Sequence, residues 1–326
     1  MELRVAFWNV ENFFHWKAEH GRATGPKSSD EYRAKLAAVT GVIRRLFASH
    51  PVDAVGLAEI GDRMVLNDVL HELGGQYVPV WQGASKKNQT GLGLIYRQAA
   101  VSAAEIQVYP NRPVIDRDGL RPRYLAVTLT HQASGVSFFV VISHWKSNLG
   151  EPDDVLEDRV HTARSLGDLL LDQSSRESTP AMVMGDFNAD PFDGVFDEQR
   201  LRGRRSYLTM SWWKNELATL YNPFWRFLAP QAPFPDGRAP GFREDRPQTS
   251  LAACEGIYDQ MLFSKSLLTH PRIVFQEGRV QYFYDAGNSK HAGGGRRIPE
   301  RWPKEWTPVA RGVSDHFPVC AEMTIL

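Results

Sequence analysis

Four short apolar segments, distributed from the beginning of the chain to its end, each lead into side chains that can bind a cation or transfer a proton. The clearest is VMGDFNAD at 183–190, where an apolar run passes directly into Asp186 and Asn188. The segments FWNVEN at 7–12, LAEI at 57–60 and SDHFP at 314–318 repeat this design. Short apolar runs of this kind are typical of buried strands. We therefore expect one site assembled from four strand ends, which requires both ends of the chain to belong to one folding unit.

The spacing of apolar residues predicts helices between these segments. After a capping-box start at 28–31, Leu36, Val39 and Ile43 follow at intervals of three and four residues, and the helix is expected to end before Pro51. A second helix is predicted at 65–73. Charged and apolar residues mix at helical spacing at 153–171, which predicts a third.

Short runs rich in β-branched and aromatic residues predict strands at 3–8, 53–58, 91–96, 101–108, 124–130, 136–143 and 180–184. Strand pairs that alternate with helices favour two mixed sheets packed face to face with the helices outside, an α/β sandwich. We expect a single domain over 1–326 with an aromatic and proline-rich insertion at about 195–255.

The insertion is the least predictable part of the chain. It contains Trp212, Trp213, the aromatic run LYNPFW at 220–225 and a Pro/Gly-rich run at 230–247. Aromatic rings beside a catalytic loop can stack on a nucleobase or a sugar. Rings at this density also pin long loops to the body of a protein. The sequence leaves both interpretations open.

Composition excludes several classes of protein. Lys plus Arg and Asp plus Glu both total 38, so the chain lacks the global basic field of many nucleic-acid binders. Any basic surface must be local, with candidates at 86–87, 200–205 and 296–297, each of which also fits a solvated face. Two cysteines give neither a disulfide framework nor zinc-type spacing. A first strand directly after Met1, and no apolar run of about eighteen residues, favour a soluble, cytoplasmic protein.

Six segments taken together resemble the endonuclease/exonuclease/phosphatase superfamily. In the family's order they are FWNVEN at 7–12, GLAEI at 56–60, ISHWKS at 142–147, GDFN at 185–188, YDQML at 258–262 and SDHFP at 314–318. The superfamily includes pancreatic-type deoxyribonucleases, abasic-site endonucleases, sphingomyelinases and inositol-phosphate 5-phosphatases, and the SHWKS segment is closest to bacterial secreted nucleases. The resemblance implies a four-layer α/β sandwich and metal-dependent hydrolysis of phosphate esters.

Hydrolysis of a phosphate ester is assisted by a divalent ion, which neutralises charge and lowers the pKa of the attacking or departing oxygen. Magnesium favours one or two carboxylates together with waters and substrate phosphate. We therefore expect Mg²⁺, with Mn²⁺ able to substitute. Glu59 is the first predicted ligand, Asn9 supports it directly or through water, and Asp315 completes the set.

The remaining motif residues are predicted to act on the phosphate. Residues two apart on an extended segment point to the same side, so Asp186 would orient and deprotonate the attacking water while Asn188 donates its amide to a phosphoryl oxygen. His144 and His316 would donate hydrogen bonds to the phosphate or a proton to the leaving oxygen. By resemblance to the family, Asp259 would fix the tautomer of His316.

Two cations are predicted to bind substrate phosphate. Arg121 resembles the phosphate-contacting arginine of pancreatic-type deoxyribonucleases, although Arg123 matches nearly as well. Lys146 fits the lysine of the bacterial secreted-nuclease segment, and it also fits an ordinary surface lysine. The sequence departs from the family at Gly61, where related enzymes carry arginine or lysine.

The favoured function is a magnesium-dependent nuclease that hydrolyses phosphodiester bonds in DNA. The alternative is a phosphatase or phosphodiesterase that acts on a phosphoinositide, a sphingolipid or a small nucleotide. A non-catalytic binding module would have lost one or more active-site residues, and the sequence retains the full set.

Overall fold

The computed structural model describes residues 1–18, 21, 24–48, 50–83, 89–107, 124–148, 151–177, 179–191, 193–197, 203–204, 220–228, 257–291, 297–309 and 312–326. The strands in these ranges are β1 (Glu2–Phe13), β2 (Ala54–Ile60), β3 (Tyr77–Gln82), β4 (Gly91–Arg97), β5 (Val101–Gln107), β6 (Tyr124–His131), β7 (Ser137–His144), β8 (Ala181–Asp186), β9 (Gly203–Arg204), β10 (Leu220–Tyr221), β11 (Asp259–Ser264), β12 (Ile273–Val274), β13 (Val280–Tyr282), β14 (Ser289–His291), β15 (Arg297–Pro299) and β16 (Val319–Ile325). The α-helices are α1 (Ser29–Arg45), α2 (Arg63–Glu72), α3 (Pro152–Glu177) and α4 (Lys265–Leu268).

The strands form two large mixed sheets. The first has the order β12-β16-β1-β2-β4-β3, with β13 also paired to β16, and the second has the order β5-β6-β7-β8-β11-β10-β9. Each sheet contains a central parallel pair, β1 with β2 and β7 with β8. Strands β14 and β15 form a separate ribbon.

Three hydrophobic clusters define four layers. The largest cluster lies between the sheets, where Phe7 and Leu94 of the first sheet pack with Met184 of the second. The second cluster joins the first sheet to α1 and α2. The third joins the second sheet to α3. The predicted sandwich of two mixed sheets with helices outside is therefore confirmed.

Helix α1 shows how the sequence sets an element. The side chain of Ser28 accepts a hydrogen bond from the Glu31 amide at 3.2 Å, which satisfies one of the unpaired donors at the helix start. The predicted apolar face is buried, with Val39 fully enclosed. The Glu31 carboxylate accepts from the Lys27 amide rather than from Ser28, so the capping box is closed one residue earlier than its usual form.

Strand β3 was not predicted from the sequence. Pro79 lies inside it, and a proline within an apolar run argues against a central strand because it cannot donate to the ladder. The structure resolves this conflict by placing β3 at the edge of the first sheet.

Most of the predicted insertion lies outside the described residues, including Trp212 and Trp213. In the part that is described, Phe224 is fully buried and packs against Phe227 and Tyr282, with ring centroids 5.3 Å apart in both pairs. These rings therefore pin the segment to the core. The basic candidates at 86–87, 200–202, 205 and 296 also lie outside the described residues.

The parallel pairing of β7 and β8 predicts that Gly185 cannot be replaced. A Cβ added at Gly185 would overlap the backbone oxygen of Ser143. We expect Gly185→Ala to reduce the free energy of unfolding by about 1–3 kcal/mol or more, measured by urea denaturation. Gly194→Ala is the matched control because its Cβ would meet nothing within 4 Å. Equal stability of the two variants would contradict this packing.

Candidate active site

Strand pairing brings the predicted residues together. In the first sheet, Asn9 on β1 is in register with Ala58 on β2, the residue before Glu59. In the second sheet, Asp186 on β8 is in register with His144 on β7 and with Asp259 on β11. The same edge of the sandwich therefore receives polar side chains from both sheets.

These side chains surround one open cavity of about 320 Å³, a volume that includes space open to solvent. All of the lining residues are polar: Glu11, Asn12, Glu59, His144, Ser147, Asp186, Asn188, Arg301, Asp315 and His316. The expectation that Glu59, Asp186 and His316 converge is met. The cavity suits a small charged group rather than an apolar ligand.

Asp186 is the centre of the site. It is buried, and its Oδ2 lies 3.1 Å from Asn9 Nδ2, 3.6 Å from His144 Nε2 and 3.7 Å from His316 Nε2. Its other oxygen accepts the backbone N–H of Asn188 at 3.0 Å. That bond fixes the carboxylate with one oxygen toward both imidazoles.

Asn9 connects the two key carboxylates. Its amide nitrogen donates to Glu59 Oε1 and to Asp186 Oδ2, both at 3.1 Å, while its oxygen accepts the Glu11 N–H at 3.0 Å. Asn9 therefore positions the carboxylates in this arrangement. Its predicted role as a direct oxygen ligand would require the amide to turn, and water-mediated support stays a prediction.

Glu59 is held in its ionised form by its surroundings. Burial would raise the pKa of this carboxyl, but His144, His316, the Asn12 N–H and Asn9 together lower the pKa to about 2. The Asn12 N–H donates to Glu59 Oε2 at 2.8 Å. Glu59 is consequently ionised across the physiological pH range.

His316 and Asp259 form the predicted pair. His316 Nδ1 lies 2.6 Å from Asp259 Oδ2, and both side chains are buried. Burial alone would lower the pKa of His316, but Asp259, Asp186 and Asp315 raise the pKa well above its ordinary value. Burial raises the pKa of Asp259 to about 7 and His316 opposes that rise, so the two buried groups compete for a proton. The short contact and the carboxylates around the ring favour the proton on His316, as an imidazolium that faces the Asp259 carboxylate. A protonated His316 can donate to an anion in the cavity.

Asn188 reaches the cavity for a different reason from the one expected. Strand β8 ends at Asp186, so alternation along an extended strand does not apply at 188. Asn188 instead adopts a positive φ of 49°, and its amide nitrogen donates to the Trp145 carbonyl at 3.3 Å. Its predicted bond to a phosphoryl oxygen would have to replace or share that contact.

Strained backbone is concentrated at the site. Of the described non-glycine residues, five have positive φ, and four of them belong to the cavity: Glu11, Asn12, Glu59 and Asn188. Such conformations cost free energy and persist where the surrounding structure enforces them. The concentration supports a functional role for this edge.

A buried group of charges beside the cavity was not predicted from the sequence. Glu11 is 1% exposed. Its carboxylate accepts hydrogen bonds from the Nε of Arg301 and from the backbone N–H of Trp302, the latter at 3.1 Å. Lys35 is fully buried on α1, and its ammonium donates to the Glu11 carbonyl. A lysine on the inner face of an amphipathic helix was a usable signal. Arg301 lies in no recognisable motif.

Burial raises the pKa of Glu11 to about 7, with Asp315 adding to the effect and Lys35 and Arg301 opposing it. Burial also lowers the pKa of Lys35 to about 8 against the attraction of Glu11, Glu59 and Asp315. The group is therefore held together by mutual compensation of buried charge.

The two basic residues predicted to bind substrate phosphate, Arg121 and Lys146, are not found at the cavity in the part of the chain that the structure describes. Arg121, like Arg123, lies outside the described residues. Lys146 is half-buried after β7 but is not among the residues that line the cavity, where its neighbour Ser147 appears instead.

A side chain at Gly61 is excluded because its Cβ would overlap Phe14, which explains the departure from the family pattern. Arg63, the basic residue two positions after Gly61, is exposed at the start of α2.

The donors present fit a hard divalent ion. Glu59, Asp186 and Asp315 supply carboxylate oxygens to one cavity, which is the ligand type that Mg²⁺ and Mn²⁺ prefer. Asp186, Asp259 and His316 also place potential ligand atoms within 4.8 Å of one another. The buried Oδ1 of Asp259 has no hydrogen-bond partner among the described residues, so this end of the site has unused acceptor capacity.

Comparison with known proteins agrees with the geometry. The family model described as the endonuclease/exonuclease/phosphatase family matches residues 6–316. No curated protein sequence matches the chain. Among the described helices, none is long and apolar enough to cross a membrane.

Several solved structures share the fold at low identity. A mannosyl-6-phosphatase from Bacteroides thetaiotaomicron is 17% identical with a TM-score of 0.59, and 99% of each chain is covered. The human Nocturnin catalytic domain with bound sulfate is 16% identical with a TM-score of 0.54, covering 100% of this chain and 95% of that one. D. rerio TDP2 in complex with a single-stranded DNA product is 14% identical with a TM-score of 0.58, and 99% of each chain is covered.

The acidic cavity predicts that metal affinity depends on Glu59. We expect Glu59→Gln to weaken Mn²⁺ binding by roughly tenfold or more, because even supporting residues around metal sites contribute about 10–100-fold. Isothermal titration calorimetry measures the affinity. Glu72→Gln, at the exposed end of α2, is the control. Unchanged Mn²⁺ affinity in Glu59→Gln would remove Glu59 from the ligand set.

Proposed function

Because the chain belongs to the endonuclease/exonuclease/phosphatase family, whose members hydrolyse phosphoester bonds, we propose that it is a divalent-metal-dependent phosphodiester hydrolase acting on DNA. The observation that carries the proposal is the buried Asp186 carboxylate, which faces both His144 and His316 in a cavity rich in carboxylates. Such a set of groups can hold a divalent ion and transfer protons during hydrolysis of an anionic ester.

In the proposed mechanism, Glu59 and Asp315 would hold Mg²⁺, for which Mn²⁺ could substitute. When bound, the ion neutralises negative charge and polarises the phosphoryl oxygen. Asp186 orients the attacking water and accepts its proton. His144 donates a hydrogen bond to the phosphate, and Asn188 supplies an amide donor once its bond to the Trp145 carbonyl is released or shared.

His316 supplies the proton that the leaving oxygen needs. Its Nδ1 is fixed by Asp259, so its Nε2 is the nitrogen that faces the cavity carboxylates, 3.7 Å from both Asp186 and Asp315. The buried carboxylate orients the ring and keeps it protonated, so that the proton is available when negative charge develops on the leaving oxygen.

DNA is the favoured substrate because the segment around His144 and Lys146 is similar to that of bacterial nucleases. The TDP2 structure, which contains a DNA product, shares the fold. The second candidate is a phosphatase or phosphodiesterase that acts on a phosphoinositide, a sphingolipid or a small nucleotide. The all-polar cavity and the similarity to a mannosyl-6-phosphatase favour it. The cytoplasmic location expected from the sequence stays a prediction.

We expect the purified protein to cleave plasmid or single-stranded DNA with Mg²⁺ or Mn²⁺ and to stop when EDTA is added. Parallel incubations with RNA and p-nitrophenyl phosphate, followed by electrophoresis or absorbance, compare the substrate classes. Asp186→Asn controls for contaminating nucleases. Release from the phosphomonoester alone would favour the second candidate and contradict the nuclease proposal.

The mechanism also predicts the effect of removing the general acid. His316→Ala should lower kcat by roughly 10²–10⁴-fold on whichever substrate is cleaved, because acid–base groups typically contribute this much. His71→Ala, on the exposed end of α2, is the control. If turnover by His316→Ala equals that of the wild type, His316 does not transfer the proton.

A further inference from the structure

The charge of the cavity raises the question of how an anion binds there. The lining contains four carboxylates, those of Glu11, Glu59, Asp186 and Asp315. A phosphate must approach these groups closely, so the positive groups of the lining, His316 and Arg301, must act together with a divalent ion to offset their charge. Among the ten described residues that line the cavity, Arg301 is the one lysine or arginine. Its guanidinium stays charged at any physiological pH.

Arg301 is held in place by a contact made far along the chain. Glu11 receives the Nε of Arg301 through one carboxylate oxygen and the Trp302 N–H, at 3.1 Å, through the other. The two bonds fix both the side chain and the backbone that carries it. The Nζ of Lys35 donates to the backbone carbonyl of Glu11 and lies 5.1 Å from the Trp302 ring centroid, so it stabilises the residues that hold Arg301.

The exposure of Arg301 distinguishes it from a purely structural arginine. Arg159 is such a residue: it fixes the loop after β7 through Lys146 O and Asn148 Oδ1 and is 6% exposed. The side chain of Arg301 is 20% exposed at the cavity wall, with one terminal nitrogen 3.5 Å from Asp315 Oδ2. Its charge is therefore presented to the cavity while Glu11 keeps its direction fixed.

We propose that Arg301 binds the phosphate group of the substrate and that Glu11 is its positioning residue. This inference rests on the proposed function and names the residue that recognises the substrate's charge. Guanidinium suits this task because its planar set of donors matches phosphate oxygens, and charge-assisted bonds are about twice as strong as neutral ones. Because Glu11 already holds the Arg301 side chain in place, that side chain loses less conformational entropy when phosphate binds.

Binding of inorganic phosphate in the presence of Mg²⁺ tests the inference without turnover. We expect Arg301→Gln to weaken phosphate binding by roughly 10–100-fold in isothermal titration calorimetry. Its Mg²⁺ affinity should be unchanged or higher, because a positive charge beside Asp315 is removed. Arg301→Lys, which keeps the charge beside Glu11, should bind phosphate with intermediate affinity. Arg45→Gln is the matched control, since Arg45 pairs with Asp285 at 2.6 Å outside the cavity.

The positioning role of Glu11 is tested in the same way. Glu11→Gln should reduce phosphate affinity to between the wild-type and Arg301→Gln values, an effect that a role in stability alone would not produce in folded protein. Thermal denaturation checks that each variant is folded. If Arg301→Gln does not fold, the phosphate affinity of Arg301→Lys is compared with that of the wild type instead.

The outcomes separate this inference from the proposed function. Phosphate affinity equal to the wild type in both Arg301 variants would overturn the role of Arg301, whatever the enzyme hydrolyses. Absence of Mg²⁺-dependent phosphate binding by the wild type would overturn it as well. A wild type that binds phosphate through Arg301 but cleaves no phosphoester would support the binding role and contradict the hydrolase proposal.

Discussion

The hydrogen bond from Asn9 to Asp186 is the contact on which the site depends. Asn9 belongs to the first sheet and Asp186 to the second, and both side chains are buried where the sheets meet. Because the same amide also donates to Glu59, one side chain sets the separation of two carboxylates. Negative charges held this close repel each other, and the buried donor and the neighbouring imidazoles offset that repulsion.

The sheets can support this contact because their central strands are paired on both sides and closely packed. Each of the two central parallel pairs is flanked by further strands and buried on both faces, as parallel strands generally require. Glycines at 56 and 185 allow the layers and strands to approach where a methyl group would collide with Ile142 or with the Ser143 backbone. Close packing therefore fixes the relative position of side chains that come from distant parts of the sequence.

The site residues that were predicted from the sequence all lie in short, recognisable sequence motifs. Glu59 and Asp186 end apolar strands, and the family order adds His316 and its partner Asp259. The four-layer sandwich was predictable for the same reason, since strand and helix periodicity is a local signal. Strand β3 was missed because Pro79 breaks that signal and only its position at the sheet edge makes the strand possible.

The parts that were missed depend on tertiary contacts. Arg301 becomes part of the cavity only because Glu11, 290 positions earlier, binds both its side chain and the next backbone amide. The conformation of Asn188 likewise follows from bonds to Asp186 and Trp145 rather than from strand alternation. Lys35 was an intermediate case, because its place on the inner face of α1 was visible while its partner was not.

The last strand of the chain lies inside the first sheet. Strand β16 pairs with β1 from Glu2 opposite Thr324 to Phe7 opposite Val319, and the Trp8 indole donates to the His316 carbonyl at 2.9 Å. During translation, β1 therefore emerges from the ribosome long before the strand that completes its ladder. The edge of β1 that faces β16 therefore lacks its native partner until residues 319–325 have been synthesised, so the cavity residues can take up their final arrangement only after that strand is made.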